Sequence, residues 1–359
     1  MKDMNKRFLG VALLFCIVIQ GVLLASCNKN NKKTLEIYSA YSFDYFDTVT
    51  SIKGYAESEE AFNEISAELL DLLGEYHRLF TIYDRYEGLE NLRTINDVKD
   101  GAHQVVKVDA RIIDMLLYAK EMYAKTGGKV NVAMGSVLSI WHNYREAGDA
   151  DPKNAELPPM EALVEAAEHT NIDDLIIDKE AGTVFLADPQ MKLDVGAIAK
   201  GYAVEMVARS LEEKGIGGYV INVGGNVRTV GIKANGEKWI AGIENPDNSS
   251  DKAYLEYIAL EGEALVTSGS YQRYYIVDGK AYHHIIDPDT LMPGVNYTSV
   301  SVVCKSSSDG DALSTALFCM TLEEGMALAE SLDGIEVMWV LTDGTRHKTS
   351  GFDDHVTEI

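Results

Sequence analysis

A series of short apolar segments between residues 171 and 267 restricts the fold of this chain more than any other feature. The segments are rich in β-branched and aromatic residues and are separated by glycine and asparagine turns. They comprise residues 175–177, 184–186, 191–195, 218–223, 227–232, 239–243, 255–260 and 264–267. Only residues 197–214 show helical character among them. Strands and helices that come in blocks predict an α+β fold of mostly antiparallel sheets with flanking helices, rather than a doubly wound parallel sheet.

The first half of the chain predicts one strand and several helices beside this sheet. Residues 45–52 alternate as a half-buried strand does, and residues 58–80 repeat apolar side chains at helical spacing. A second helix is predicted over residues 109–125, ended by glycines, and a third from Met160. Residues 146–159 are polar and contain prolines, which predicts a surface loop.

The N-terminus predicts export and lipid attachment. Lys2, Lys6 and Arg7 precede an apolar run over residues 8–25, and Leu-Ala-Ser-Cys at positions 24–27 resembles a bacterial lipobox. We therefore expect a signal peptide over residues 1–26, a polar tether over residues 27–44 with lipid on Cys27, and one two-lobed domain over residues 45–359. The protein would lie on the extracytoplasmic face of the cell membrane. A plain transmembrane anchor stays open, because the apolar run is just long enough to span a bilayer.

Charge and cysteine content narrow the classes of partner. The formal net charge is −24, and so acidic a surface repels phosphate backbones, which argues against a nucleic-acid partner. Cys304 and Cys319 lie in a strand-like and a helix-like run, which predicts two buried thiols rather than a disulfide or a zinc site.

Residues 194–202 form the first of three polar groups of residues that can carry chemistry. A strand that ends in a small-residue turn and opens a helix presents free backbone N–H groups, and Lys200 adds a cation. A pyrophosphate could bind there. A tight strand-to-helix junction with a solvated lysine explains the same residues.

The other two polar groups of residues lie towards the C-terminus. His284 stands three residues before Asp287 and could act as a general base, or it could be a structural histidine before an Asp-Pro turn. Asp311 and Thr315 are one helical turn apart and offer hard oxygen ligands for Mg²⁺. Asp311 as a helix N-cap or first-turn acid needs no metal.

Taken in order, these motifs resemble the ApbE family, the FAD:protein FMN transferases. The resemblance runs from Phe46 to the last helices, and its most specific pieces are residues 193–203, 222–226, 267–269, 284–288 and 311–315. It implies a fold related to the T-fold. It also implies that Asp311, Thr315 and the carbonyl of Ala197 hold Mg²⁺.

The resemblance further implies how the chain would bind FAD. Lys200 would lie by the phosphates, Thr267, Ser268, Gly269 and Asp287 would contact the dinucleotide, and Tyr83 would stack on the flavin. His284 matches the family's transfer histidine. Departures at residues 130–133, at Ser270 and at residues 290–293 affect the flavin-edge contacts.

The implied activity is Mg²⁺-dependent transfer of FMN from FAD to a threonine of an extracytoplasmic flavoprotein, such as a subunit of a membrane redox complex, with release of AMP. Three alternatives are an FAD pyrophosphatase, a non-catalytic lipid-anchored FAD-binding protein and a generic solute-binding lipoprotein. The last would show two parallel βαβ lobes, which the blocks of strands contradict.

Overall fold

The computed structural model describes residues 34–247 and 249–358, and the chain from Leu35 onward is one compact unit. The predicted signal peptide and Cys27 lie outside the described residues. Within the described part, no helix combines the length and the apolar character that crossing a bilayer requires.

The largest sheet has eight strands, and every neighbouring pair is antiparallel. They are β1 (Glu36–Ser42), β2 (Thr50–Ala56), β8 (Tyr219–Val223), β9 (Asn226–Val230), β12 (Ala264–Gly269), β15 (Tyr297–Cys304), β16 (Glu336–Leu341) and β17 (Arg346–Lys348), in that spatial order.

Four smaller antiparallel sheets lie around it. They are formed by β3 (Val98–Lys99) with β4 (Ala102–His103); by β5 (Val106–Lys107), β6 (Leu175–Asp178) and β7 (Thr183–Leu186); by β10 (Trp239–Glu244), β11 (Tyr254–Leu260) and β18 (Val356–Thr357); and by β13 (Tyr274–Val277) with β14 (Lys280–His283).

The helices are α1 (Glu59–Phe80), α2 (Leu92–Ile95), α3 (Ala110–Lys125), α4 (Gly135–Ala150), α5 (Met160–Ala167), α6 (Ala199–Glu213), α7 (Ser307–Phe318) and α8 (Leu322–Glu330), with 3₁₀ turns at Ile172–Asp174 and Phe352–His355. α1, α6 and α7 cover one face of the large sheet and build the main core with it. β10 and β11 cover part of the opposite face, where Leu265, Val303 and Met338 lie in a second core. The predicted α+β fold with mostly antiparallel sheets is confirmed.

The start of the folded part differs from the predicted boundary at residue 45. Residues 36–42, assigned to the tether, form β1 and pair with β2 along their whole length. Tyr38 anchors β1, because its ring stacks on Phe62 of α1 at 5.7 Å. The predicted strand over residues 45–52 begins only at Thr50, since Phe46 and Asp47 have φ of 55° and 51° and form a turn.

Two predicted elements in the middle of the chain are also corrected. Residues 146–150 continue α4, so the surface loop covers only residues 151–159. Residues 191–195 form no strand. Only an isolated bridge joins Lys192 to Met134, and the side chain of Asn96 bonds the backbone of Leu193, since its amide donates to the Leu193 carbonyl and its oxygen accepts from the Leu193 N–H.

Helix α7 begins earlier than Asp311. Ser306 caps it by accepting from the Asp309 N–H, and Asp309 is the acid of the first turn. Asp311 therefore lies in the second turn, which removes the alternative that it is a helix cap.

Cys304 and Cys319 are both free and buried, as predicted.

A buried ion pair joins helix α6, strand β9 and helix α7. Glu205 of α6 accepts from Arg228 of β9 at 3.0 Å and from the backbone N–H of Ser307 in α7 at 2.9 Å. The Glu205 and Arg228 side chains are only 3% and 5% exposed. A paired and hydrogen-bonded charge in this position holds α6, β9 and α7 in one arrangement.

We expect Arg228→Met to lower the free energy of unfolding by about 3 kcal/mol, because it leaves a buried carboxylate without its main counter-charge. Arg209 bonds the same carboxylate but is 54% exposed, so Arg209→Met is the matched control and should cost less than about 1 kcal/mol. Urea unfolding measures both. Equal losses in the two variants would contradict the prediction.

Candidate active site

A cavity of about 450 Å³ opens where the ends of β8 and β12 meet the first turn of α6. All the residues predicted to form the site line it except Asp287, namely Tyr83, Ala197, Lys200, Thr267, Ser268, Gly269, His284, Asp311 and Thr315. Residues more than 200 positions apart in the chain thus come together at one end of the large sheet.

Asp311 is the most constrained acid of the cavity, with only 4% of its surface exposed. Its Oδ2 accepts from the backbone N–H of Gly201 at 2.8 Å, and its Oδ1 lies 3.3 Å from Lys200 Nζ and 3.4 Å from Asn226 Nδ2. A Cβ at Gly201 would lie 2.3 Å from the Ser307 carbonyl, so only glycine permits this approach of α6 to α7. One backbone N–H and two side chains therefore hold this carboxylate in place.

The hydroxyl of Thr315 lies one turn further along α7. It is 3.5 Å from Ser268 Oγ, which also bonds Ser314 Oγ at 2.8 Å. A cluster of hydroxyls therefore stands beside the carboxylate, and Lys200 supplies the nearest cation. These are groups that bind phosphate oxygens and hard cations.

The buried side chain of Asn226 has an unsatisfied atom. Its Nδ2 faces Asp311, while its Oδ1 has no hydrogen-bond partner among the described residues. A buried acceptor without a partner is costly, so a ligand, ion or water is expected to use it.

The two neighbouring histidines, His283 and His284, differ in their hydrogen bonds. His283 uses both ring nitrogens, since Nδ1 accepts from the Ile285 N–H and Nε2 bonds the Gly294 carbonyl at 2.6 Å. His284 Nδ1 lies 3.2 Å from the Arg273 carbonyl, which can only accept, so Nδ1 carries the proton. The Nε2 of neutral His284 is then left with a free lone pair.

The surroundings of His284 favour the neutral ring. Burial lowers the pKa of His284 to about 3, and the charges of Arg273 and Lys200 lower it as well. The hydrogen bond to the Arg273 carbonyl raises the pKa, but by less than burial lowers it.

The remaining predicted residues lie apart from this centre or at its edge. Tyr83 is 57% exposed, and its ring lies 5.4 Å from that of His142, so one face is available to a planar ligand. Asp287 does not line the cavity and instead pairs with Lys129 at 2.7 Å. Lys129 itself lines the cavity, and the predicted contact of Asp287 with the dinucleotide stays a prediction.

Several lining residues were not predicted as site residues. The charged residues and histidines among them include Asp47, His142, Arg145, Asp194 and Arg273. Asp194 precedes the motif turn and could have been found there; burial raises its pKa, while its bond from the Gly196 N–H acts to lower it. Arg145 and Arg273 stand in ordinary polar sequence, and only the fold brings them to the cavity.

Comparison with known proteins agrees with this arrangement. The chain is 32% identical over 269 residues to an FAD:protein FMN transferase of Klebsiella pneumoniae, covering 73% of this chain and 81% of that protein. It is 28% identical over 340 residues to the one of Haemophilus influenzae, covering 91% and 92%. The ApbE protein of Thermotoga maritima has a TM-score of 0.77 at 26% identity, with 90% of this chain and 100% of that one covered. The flavin transferase ApbE of Vibrio cholerae has a TM-score of 0.73 at 26% identity, and the match covers 90% of this chain and 100% of that one.

Fold, cavity and relatives together define the class, which is that of the flavin transferase enzymes. The family model of ApbE matches residues 46–339. The chain belongs to the ApbE family.

We expect the His284 ring of the free protein to stay neutral from pH 8 down to pH 5, because burial disfavours its charged form. The unfolded chain takes up this proton near pH 6.5 and the folded protein only near pH 3, so acidification between these values destabilises the fold. The ring ¹⁵N chemical shifts of His284, identified by their loss in His284→Asn, measure it. A midpoint near 6.5 would contradict the prediction.

Proposed function

We propose that this protein transfers FMN from FAD to a threonine hydroxyl of an extracytoplasmic flavoprotein and releases AMP. The observation that carries the proposal is that Asp311, Thr315, Lys200 and His284 line one cavity. The cavity thus combines oxygen ligands, a cation for phosphate and an unprotonated imidazole. These are the groups that phosphoryl transfer to a hydroxyl requires.

The oxygen groups around Asp311 fit a magnesium ion. Mg²⁺ takes one or two carboxylates and completes its octahedron with water and substrate phosphates. Asp311, the Thr315 hydroxyl and the Ala197 carbonyl would hold it, and the unsatisfied Oδ1 of Asn226 lies nearby. No three acids, histidines or cysteines group together in the described part of the chain, which fits a site that relies on substrate phosphate. When bound, the ion neutralises charge on the diphosphate and on the leaving AMP.

The chain's own residues orient the reactants. Lys200 binds phosphate oxygens, the turn at Thr267–Gly269 lets the dinucleotide approach the backbone, and Tyr83 offers its exposed ring face to the flavin. The threonine oxygen attacks the phosphorus of the FMN half, and the bond to the AMP phosphate breaks. The hydroxyl proton passes to Nε2 of His284, which is unprotonated at neutral pH because its pKa is lowered to about 3.

Water in place of threonine would give FMN and AMP, so the same cavity would act as an FAD pyrophosphatase. A binding protein without catalysis would not need Asp311, Thr315 or His284. We also propose that lipid on Cys27 holds the protein at the outer face of the cell membrane, where an acceptor from a membrane redox complex would meet it.

The direct test is to incubate the chain with FAD, Mg²⁺ and a threonine-bearing acceptor protein and to measure the acceptor by mass spectrometry. We expect a mass increase of one FMN, lost with EDTA and reduced at least 100-fold in Asp311→Asn. This variant keeps the side-chain shape, whereas Asp311→Ala would also leave the Gly201 N–H unsatisfied at a cost of about 1 to 3 kcal/mol. Undiminished, EDTA-resistant transfer by Asp311→Asn would refute the metal assignment.

We expect His284→Ala to bind FAD normally and to slow FMN transfer about 100- to 10,000-fold, the usual range for loss of a general base. His283→Ala is not a suitable control, because His283 bonds two backbone groups. His347→Ala on β17 is suitable, since it lies outside the cavity. Titration of FAD fluorescence gives the affinity and mass spectrometry the rate; an unchanged rate would remove His284 from the mechanism.

A further inference from the structure

A second groove, of about 770 Å³, lies on the face of the large sheet opposite α1, α6 and α7. β10 and β11 cover this face only over its central strands, so outward residues of β1, β2 and β8 stay open. The groove runs between these strands and β10. Its lining includes Ile37, Ser51, Lys53, Val220, Asn222 and Ile240.

The groove adjoins the catalytic cavity. Thr267 and Gln272 line both of them, and Gln272 also lines a smaller hollow beside Arg145 and Arg273. A chain lying in the groove would therefore pass the mouth of the cavity at Gln272. His284, the proposed base, lines the same cavity.

Strand β10 lines this groove and is an edge strand of its sheet. It is hydrogen-bonded to β11 on one side, and its other edge has no strand partner among the described residues. A free edge of this kind pairs with an extended polypeptide by adding a strand. Ile240 is 41% exposed and Ile37 51%, so apolar side chains are available on both walls.

The charges along the same path favour an acidic partner. The chain as a whole carries −24, yet Lys53 in the groove and Arg273 beyond Gln272 have no acidic partner in the part of the chain that the structure describes. Among the described residues, Arg145 bonds the ring of His142 and no carboxylate. Two acids lie along the same path, Glu244 in the groove and Asp149 in the smaller hollow, so these three cations outnumber them. Unpaired cations on so acidic a protein select acidic residues in what binds there.

From these observations we infer that the groove is the docking site for the acceptor: an extended, acidic segment of the acceptor protein pairs with the free edge of β10 and presents its threonine at Gln272. The inference rests on the proposed transferase function and names how its protein substrate binds. The flavin and the acceptor then enter from different sides, the former in the cavity and the latter along β10.

The test uses Ile240→Glu and Lys53→Glu in the full chain. Both residues line the groove and neither lines the cavity. Ile176→Glu on β6 is the matched control for the first, since Ile176 is 49% exposed, and Lys99→Glu on β3 is the control for the second. The probe is an acetylated ten-residue peptide of alternating threonine and valine with an aspartate at each end.

Three measurements separate docking from chemistry. We expect all four variants to release AMP from FAD in water at the unsubstituted rate. The two groove variants should raise the KM for FMN transfer to the peptide at least tenfold with kcat nearly unchanged, and the controls should not. Hydrogen exchange of residues 239–244 should slow when the peptide is added to the unsubstituted chain.

The inference is overturned if the peptide leaves exchange at residues 239–244 unchanged, or if groove and control variants transfer with the same KM. Residues 239–244 could also become protected without peptide as the protein concentration rises. That result would show that a second copy of the chain occupies the groove, and it would overturn the inference. Failure of the proposed function is distinct, because neither the peptide nor an acceptor protein would then gain FMN with any variant, whatever the exchange shows.

Discussion

The contact of Asp311 with the backbone N–H of Gly201 is the constraint on which the site depends. It ties the second turn of α7 to the first turn of α6, and it is possible only because residue 201 has no side chain. The same carboxylate faces Lys200 and Asn226, so one side chain fixes the approach of the two helices and also supplies a carboxylate to the cavity. Stability and chemistry therefore share this acid.

The buried ion pair of Glu205 and Arg228 supports the contact between α7 and α6 from a position away from the cavity. Glu205 lies on α6 about one and a half turns after Lys200, and it also binds the first residue of α7. Arg228 lies two residues after Asn226 on β9. Because the pair ties these three elements together, the carboxylate, the lysine and the amide of the site keep their separations when a ligand binds. Charges buried away from the cavity thus position the charges within it.

Much of this organisation could be predicted from the sequence. Strands that come in blocks along the chain predicted the α+β class. Every residue of the predicted site lines the cavity except Asp287. That exception has a physical cause: Asp287 follows a motif histidine, but Lys129, distant in sequence, neutralises it. Strand β1 was missed because its outward residues Ile37 and Tyr41 are apolar, so the alternation that marks a half-buried strand is weak there. Arg145 and Arg273 have no local signal, because only tertiary structure gives them a role.

The choice between threonine and water as nucleophile is a question about geometry outside the cavity. The groups that would polarise the phosphate and accept a proton serve either nucleophile equally, so they cannot select between them. Selection must come from whatever raises the local concentration of one hydroxyl at the cavity mouth. The groove along β10 meets this mouth at Thr267 and Gln272 and supplies a free strand edge, apolar walls and unpaired cations. A docked segment would exclude water from the same position that it fills with threonine, so binding of the acceptor would both provide the nucleophile and suppress hydrolysis.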